Sequence, residues 1–448
     1  MSTIMKTLIN EKSYLKIKFK LVFKIIIIFF VVLKNLLIST RKLRKSQKIF
    51  IAYRGFAHTI IDVMAFFELF PEKSIVIILG EFDSLAPSFN QRNPAFPMYL
   101  GNDKVITINT KPNFGDSGLW IWAQISKKIL KLTLVFLGNK NAVIYNDSRY
   151  ITKRASLNFM SMSLKVPHKN AEVLFKELEN SHKLAGVGHM IGHEILFMKK
   201  YNIRNLNQIY QYSGKIDNAI LRKMNKDPYA CLLIRDKKQY KNILIESYYI
   251  DAIKFLLSKG FSTVLLGDTV RILELLKKER REIQQSILNL YMYNYTKTQV
   301  LSFISAANCK FALGDAGGAW SLLKIFNKPG LLINGSTANL IDSVESLPKK
   351  WVTEKTGLEV LDADRIFNDL FFSEFISKKS DVDKNRVLQK DNGKTFILDA
   401  IYQYVNSESF DNPRTMQHEV LKNFPQNKYL QLAKNCTYSN QYFKRLRF

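Results

Sequence analysis

The chain is poor in cysteine, with three among 448 residues: Cys231, Cys309 and Cys436. They are far apart and their spacing fits no metal site, and so few cysteines suit a reducing compartment. The hydrophobic content of 47% and the charged content of 23% exclude general disorder. A chain of this length is long enough for two domains, each with its own core.

Acidic residues are also scarce, with 38 Asp and Glu against 67 Lys and Arg, a net charge of +29. Such a balance favours a phosphate-bearing partner, which is nucleic acid, anionic lipid or a nucleotide. The alternative is a biased composition that leaves lysines on solvated faces. No nucleic-acid recognition module is present in the sequence, so we predict no nucleic-acid partner.

The basic charge is densest at the N-terminus, where residues 1–48 hold twelve basic residues and one acidic residue, Glu11. This segment includes the apolar run "LVFKIIIIFFVVLKNLLI", Leu21 to Ile38, which approaches the roughly 20 apolar residues of a membrane span. No small-residue cleavage site follows; the next residues, "STRKLRKSQK", are basic. We predict a membrane-associating helix, spanning or interfacial, on an anionic membrane surface. The alternative is a buried core helix.

Short apolar strands follow this segment, among them "KIFIAY", "SIVIILG", "KVITIN" and "NAVIYN". Runs that are apolar on both faces are typical of a parallel sheet covered by helices. From "ACLLIR" onward, strands alternate with single helices through "PGLLIN", which predicts a doubly wound parallel sheet. The sequence therefore predicts an α/β protein with a first domain over residues 49–215, a second over 216–400, and a helix and tail over 401–448.

Ligands of doubly wound sheets bind beyond the carboxyl ends of strands, and three turns of the second domain lie at such ends. The most distinctive is Gly314-Asp315-Ala316-Gly317-Gly318. A helix starting near Gly317 would present free amides and a positive dipole to a diphosphate, and glycine lets phosphates come close to the backbone. Asp315 would instead cap the helix or bind a sugar hydroxyl. The alternative is an ordinary capped turn.

The other two turns carry Arg235 and Asp268. Arg235 follows "LLI" and could neutralise a departing diphosphate through a bidentate contact, or could form a surface ion pair. Asp268 closes "VLLGD" and could accept hydrogen bonds from ribose or sugar hydroxyls, or cap the next helix.

In the first domain, "YRGFAHTIID" places His58 at a strand-to-helix switch. A near-neutral pKa suits the imidazole for general-base work on a hydroxyl, and Asp62 could orient it from the same helix face. The alternative is a capping histidine. His189 and His193 are four residues apart, but Met190 stands where a zinc protease needs glutamate, so we predict no metal site.

The order of elements from Ala230 to Trp351 resembles the bacterial glycosyltransferases of surface-polysaccharide synthesis, of GT-B type, and more distantly the protein O-fucosyltransferases. The resemblance implies two Rossmann-like domains that face a cleft, a nucleotide-sugar donor, a glycan or lipid-linked acceptor, no bound metal and no cofactor. It implies a location at the cytoplasmic face of the inner membrane, as a peripheral or single-anchor protein. Donor contacts would come from Arg235, Asp268 and the turn residues Gly314, Asp315, Gly317 and Gly318.

The chain departs from the family pattern at two places. The family usually has serine or threonine beside the glycine, where this chain has Ala316, and an acid before the "LSFISAANC" helix, where this chain has Thr296-Lys297-Thr298. A non-catalytic glycan- or nucleotide-binding protein of the same fold is therefore the second hypothesis. A sugar-nucleotide epimerase on this fold is a further one.

Overall fold

The structure is a computed structural model. It describes residues 25–53, 56–80, 96, 100–101, 103–110, 115–184, 191–201, 228–234, 248–267, 270–288, 290, 295–353, 355–371, 387–407, 423–425, 427–433 and 436–447. The described residues form two compact units, Met1–Ser148 and Arg149–Phe448. The sequence places the corresponding boundary near residue 215. The predicted cleft between two domains stays a prediction.

The first unit contains a four-stranded sheet in the order β3-β2-β1-β4, in which every pair is parallel. Its β2 is buried along its whole length, as the apolar run "SIVIILG" predicts. The elements of this unit are α1 (25–38), α2 (Thr40–Lys45), β1 (Lys48–Ala52), α3 (Phe56–Leu69), β2 (Ser74–Gly80), β3 (Val105–Asn109), α4 (Gly115–Phe136) and β4 (Val143–Tyr145).

Helices cover both faces of this sheet. Alternate strand residues such as Ile49 and Ile51 share one apolar cluster with α1 and α4. On the other face, Phe50 of β1 stacks on Phe66 of α3, with ring centroids 5.3 Å apart. This is the layered arrangement that a parallel sheet requires, because both of its faces must be kept from water.

The predicted N-terminal membrane helix corresponds to α1, whose described part begins at Ile25; Leu21 to Lys24 lie outside the described residues. Ile28, Val32 and Leu36 are fully buried in the cluster with the sheet. One stripe of α1 therefore belongs to the core of the first unit, which was the alternative left open by the sequence. Within the described part of the chain, none of the helices has both the length and the apolar character of a membrane span.

The second unit contains a seven-stranded sheet in the order β13-β10-β9-β8-β5-β6-β7, parallel throughout. Its strands are β5 (Tyr229–Ile234), β6 (Ser262–Gly267), β7 (Ile287–Leu288), β8 (Phe311–Asp315), β9 (Gly330–Gly335), β10 (Val344–Pro348) and β13 (Thr437–Tyr438). The sequence also predicts a strand at "LNLYMYN", Leu288 to Asn294, of which the structure describes only Leu288, in β7, and Leu290. A separate antiparallel pair joins β11 (Lys350–Thr353) to β12 (Val387–Lys390).

The helices of the second unit begin before its first strand. They are α5 (Ser148–Leu164), α6 (His168–Leu184), α7 (Ile191–Phe197), α8 (Tyr249–Ser258), α9 (Val270–Leu276), α10 (Arg281–Gln285), α11 (Tyr295–Asn308), α12 (Ala319–Ile325), α13 (Lys394–Asn406), α14 (Lys428–Leu432) and α15 (Asn440–Arg445), with a π-helical turn at Arg365–Asp369. Residues of α5, α6 and α7 share one apolar cluster with β5 and β8, which joins them to this sheet.

The C-terminal residues complete the second unit. The sequence shows little periodicity after residue 411, yet β13 pairs with β10 through Glu345–Thr437 and Ser346–Tyr438. A two-residue strand is too short to leave an alternating pattern in the sequence. The predicted separate tail is thus partly an edge strand of the main sheet.

Candidate functional site

The order in which strands are added to the second sheet reverses between β5 and β8. The chain builds β6 and β7 on one side of β5, then returns to place β8, β9 and β10 on the other side. In doubly wound sheets, ligands bind at the carboxyl ends of strands where the order reverses in this way. Gly314 to Gly318 lie at the end of β8, and Arg235 follows β5 but lies outside the described residues. The strand order therefore predicts ligand binding at the same turn, Gly314 to Gly318, as the sequence does.

Close backbone packing explains one glycine of this turn. Gly314 has φ +140°, and a Cβ atom there would lie 2.1 Å from the Leu233 carbonyl oxygen of β5. Gly267, which ends β6 on the other side of β5, has φ +96°, and its Cβ would lie 2.3 Å from the Ile234 carbonyl oxygen. Neither position accepts a side chain. Gly314 is therefore required for strand packing, whether or not a ligand binds.

Gly317 and Gly318 have different surroundings. Both are exposed, and a Cβ atom built on Gly317 would meet no atom within 4 Å. Gly318 is the N-cap of α12, and no side chain caps this helix. The fold gives no packing reason for glycine at position 317, so a close approach of a ligand to this backbone remains a reason for it.

Asp315, the acid of the turn, is buried, with 4% of its surface exposed. Tyr249 of α8 donates a hydrogen bond from its hydroxyl to Asp315 Oδ2, and Asn334 Nδ2 donates to Oδ1 over 3.2 Å. Trp320 Nε1 donates to the Asp315 carbonyl oxygen over 3.1 Å. The predicted donor contact of Asp315 stays a prediction, and the carboxylate has contacts that hold β8, β9 and the start of α12 together.

The burial of Asp315 raises the pKa of its carboxyl from 3.8 to about 6. Hydrogen bonds from Tyr249 and Asn334 oppose this shift, because they stabilise the ionised form. The carboxyl therefore changes its charge near pH 6, two residues before the first of the exposed glycines.

Further polar residues extend from Asp315 to the C-terminal helix. Asn334, at φ +52°, accepts hydrogen bonds on Oδ1 from the backbone N and Nδ2 of Asn392, over 3.0 and 3.2 Å. Arg445 of α15 donates to Asn392 Oδ1 over 2.6 Å and pairs with Glu359 over 3.0 Å. Tyr249, Asn334 and Asn392 could not be identified from the sequence, because single polar residues far apart in the chain form no motif.

The raised pKa of Asp315 predicts a pH-dependent stability. Between the unfolded pKa of 3.8 and the folded pKa of about 6, the folded state holds the proton more tightly, so stability is lost as the pH rises through 6. We expect the free energy of unfolding of the native chain, relative to Asp315→Asn, to fall by about 2 kcal/mol between pH 4.5 and 7.5. Urea unfolding of both proteins at the two pH values measures this difference. Parallel pH profiles would contradict the burial of an ionisable carboxyl.

Asp268, the third predicted donor contact, lies outside the described residues, directly after Gly267. Its predicted role stays a prediction.

His58 lies at the corresponding position of the first sheet. The order β3-β2-β1-β4 reverses between β1 and β4, so the carboxyl end of β1 is its switch point. His58 is the third residue of α3, the helix that follows β1, and is half-buried, while Asp62 one turn later is buried. Residues four apart share one helix face, as the predicted pairing requires. The general-base role of His58 stays a prediction.

The second histidine pair is only partly described. His193 is buried within α7, and His189 lies outside the described residues. In the part of the chain that the structure describes, no group of three or more His, Cys, Asp or Glu side chains could hold a metal ion.

No protein-family model matches this chain, and no curated protein matches it either. Among solved structures, it is similar to the ADP-heptose lipopolysaccharide heptosyltransferase II of E. coli, with 11% identity over 67% of this chain and 90% of that one, at a TM-score of 0.36. It is also similar to a glycosyl transferase of family 9 from Veillonella parvula, with 8% identity over 68% and 87%, at 0.37. A third is the E. coli heptosyltransferase WaaC with ADP-2-deoxy-2-fluoro heptose, with 11% over 64% and 88%, at 0.33. At these TM-scores the likenesses carry no argument about activity.

Proposed function

We propose that this chain is a glycosyltransferase that moves a sugar from a nucleotide-sugar donor to a glycan or lipid-linked acceptor. The second unit binds the donor and the first unit binds the acceptor. The proposal includes a role in surface polysaccharide synthesis and a hexosyl or deoxyhexosyl donor, with neither metal nor cofactor taking part.

The observation that carries the proposal is the coincidence of a glycine turn with a topological switch point. The strand order β7-β6-β5-β8-β9-β10 is that of a nucleotide-binding doubly wound sheet, in which the phosphates lie beyond the central strand ends. The exposed Gly317 and Gly318 follow β8 at this point. Because α12 has only seven residues, the sheet topology supports this location more than a helix dipole does.

The proposed reaction needs charge stabilisation on one side and proton removal on the other. As the bond between sugar and diphosphate breaks, negative charge grows on the diphosphate, and Arg235 with the exposed turn amides would stabilise it. His58 would accept the proton of the attacking hydroxyl. The Asp315 carboxyl would position the turn through Tyr249 and Asn334 rather than contact the phosphates, which it would repel when ionised.

Donor binding tests the proposal. In a thermal-shift screen of the full chain against a panel of nucleotide-sugars, we expect one class to raise the melting temperature through mass action. Gly317→Ala should then weaken that donor at least about tenfold, which is about 1.4 kcal/mol, because its methyl group occupies the space of the phosphate. Gly393→Ala is the matched control, since Gly393 precedes α13 in the same unit and its Cβ would also meet no atom within 4 Å.

Two results would overturn the proposal: no nucleotide-sugar stabilises the chain, or the donor binds equally to the Gly317 and Gly393 variants. Arg235→Ala separates the enzyme from the non-catalytic binding protein that Ala316 and Thr296-Lys297-Thr298 suggest. A transferase loses turnover in this variant, whereas a protein that only binds glycan keeps its affinity for it.

A further inference from the structure

The N-terminal helix α1 has two apolar faces. Ile28, Val32 and Leu36 are buried against the sheet, as described above. The opposite side exposes large apolar side chains, among them Phe30 at 63%, Leu37 at 49% and Ile38 at 73%. The first unit's core accounts for the first face only, so the second face needs another explanation.

A second helix has the same property. In α4, Ile129, Leu130 and Leu134 are buried in the same cluster, while Leu132 is 69%, Val135 is 54% and Phe136 is 86% exposed. Lys128 and Lys131 are exposed on the same side, at the three- and four-residue spacing of one helical stripe. We call the exposed residues Phe30, Leu37, Ile38, Leu132, Val135 and Phe136 the outer apolar face.

The two helices cover the same side of the sheet, and hydrogen bonds join the C-terminal end of α4 to α2, the helix that follows α1. Asn139, three residues after α4, donates from Nδ2 to the carbonyl oxygens of Leu43 and Ser46 over 2.7 and 2.8 Å. Lys42 Nζ donates to the Val105 carbonyl oxygen over 2.8 Å, at the first residue of β3. These bonds place α2 along the amino edge of the sheet. His58 follows the carboxyl end of β1, so the outer apolar face extends toward the edge opposite to it.

The two chain segments that carry the outer apolar face contain basic but no acidic residues. Residues 25–48 contain six basic and no acidic residues, and residues 117–146 contain four basic and no acidic residues. Lys34, Arg41, Arg44 and Lys45 are all exposed. Asp103 is an acidic residue whose charge reaches Lys42 of α2. Apolar side chains bordered mainly by cations match the surface of a bilayer that contains anionic lipid. A protein partner whose surface carries both positive and negative charges would not require this excess of basic residues.

We propose that the first unit docks on an anionic lipid bilayer through the outer apolar face, with α1 and α4 both inserting side chains while they stay packed on the sheet. Lys128, Lys131 and the exposed basic residues of α2, which are Arg41, Arg44 and Lys45, contact lipid phosphates. The docking does not depend on the sugar transfer proposed above. It leaves the carboxyl edge of the first sheet, with His58, on the side away from the lipid.

Vesicle flotation of the full chain tests the docking. We expect binding to vesicles of phosphatidylcholine with about 30% phosphatidylglycerol, and weak binding to phosphatidylcholine alone. Ile38→Ser with Phe136→Ser should lower the partition coefficient at least about tenfold, since each change removes an inserted side chain. Lys128→Gln with Lys131→Gln should lower binding to the anionic vesicles only.

The controls distinguish this surface from other causes of binding. Leu358→Ser changes an equally exposed apolar residue, 68% exposed, in the second unit, and should leave binding unchanged. Residues 1–24 are present in every variant, so binding by that basic segment alone would be equal in all of them and would overturn the proposal. A dimer in the absence of lipid, detected by light scattering, would also overturn the proposal if Ile38→Ser with Phe136→Ser converts it to a monomer. The outer apolar face would then bind a second copy of this chain.

Discussion

Gly314→Ala is expected to destabilise the second unit by at least about 3 kcal/mol. Two costs add at this residue. Its φ of +140° is strained for any side chain, and the new methyl carbon would lie 2.1 Å from the Leu233 carbonyl oxygen and 2.8 Å from the Leu233 nitrogen. Both atoms belong to the backbone of β5, which cannot rotate away as a side chain can. Urea unfolding followed by circular dichroism measures the loss.

Gly317→Ala is the matched comparison, three residues along the same turn. Its methyl group enters open space, so we expect its free energy of unfolding to lie within about 0.5 kcal/mol of the native value. Equal losses in the two variants would contradict the assignment of Gly314 to strand packing and of Gly317 to an open surface. A stable Gly317→Ala protein also makes the donor-binding experiment interpretable, because any lost affinity then cannot come from unfolding.

Lys324→Met is expected to cost about 3–5 kcal/mol. The Lys324 side chain is fully buried in α12, and its Nζ lies 3.7 Å from Oδ2 of Asp342, whose side chain is 1% exposed. Burial lowers the pKa of Lys324 to about 8, although the charge of Asp342 opposes this shift. Methionine fills a similar volume but removes the cation, which leaves the Asp342 carboxylate buried without its counter-charge.

The double variant Lys324→Met with Asp342→Asn tests whether the cost comes from the unpaired charge. Asparagine keeps an oxygen for the hydrogen bond that Ser343 Oγ donates to Asp342 Oδ2 over 3.1 Å. We expect the double variant to regain at least half of the stability lost in Lys324→Met, measured by urea unfolding at pH 7. No recovery would mean that the cost of Lys324→Met does not come from the unpaired charge of Asp342.

Most of the central strands of both sheets were predictable because they are short apolar runs between turn residues. "SIVIILG" and "PGLLIN" coincide with β2 and β9, since a strand that is buried on both faces leaves a continuous apolar signal. Elements fixed by tertiary contacts alone were not predictable. The strand β13 has two residues and exists because β10 offers it a free edge.

The candidate site was predictable as a location but not as a set of contacts. The glycines of the turn stand out in the sequence, and the strand order places them at the switch point. The sequence could not show that the glycines have different roles. A Cβ atom at Gly314 would collide with Leu233, whereas one at Gly317 would meet no atom, and only the structure shows this difference. Asp315 was expected at a helix cap or a sugar hydroxyl, whereas its oxygens accept hydrogen bonds from Tyr249 and Asn334, which are 66 and 19 residues away in the chain.

The most direct test follows the backbone amides of the glycine turn while a nucleotide-sugar is added. In a chain labelled with ¹⁵N-glycine, the signals of Gly317 and Gly318 can be assigned by loss in Gly→Ala variants. We expect both to shift saturably with the nucleotide-sugar and with inorganic pyrophosphate, while Gly260, which precedes the amino end of β6 in the same unit, does not move. If a nucleotide-sugar binds and the Gly317 and Gly318 signals stay in place, the diphosphate does not lie at this turn and the account is wrong.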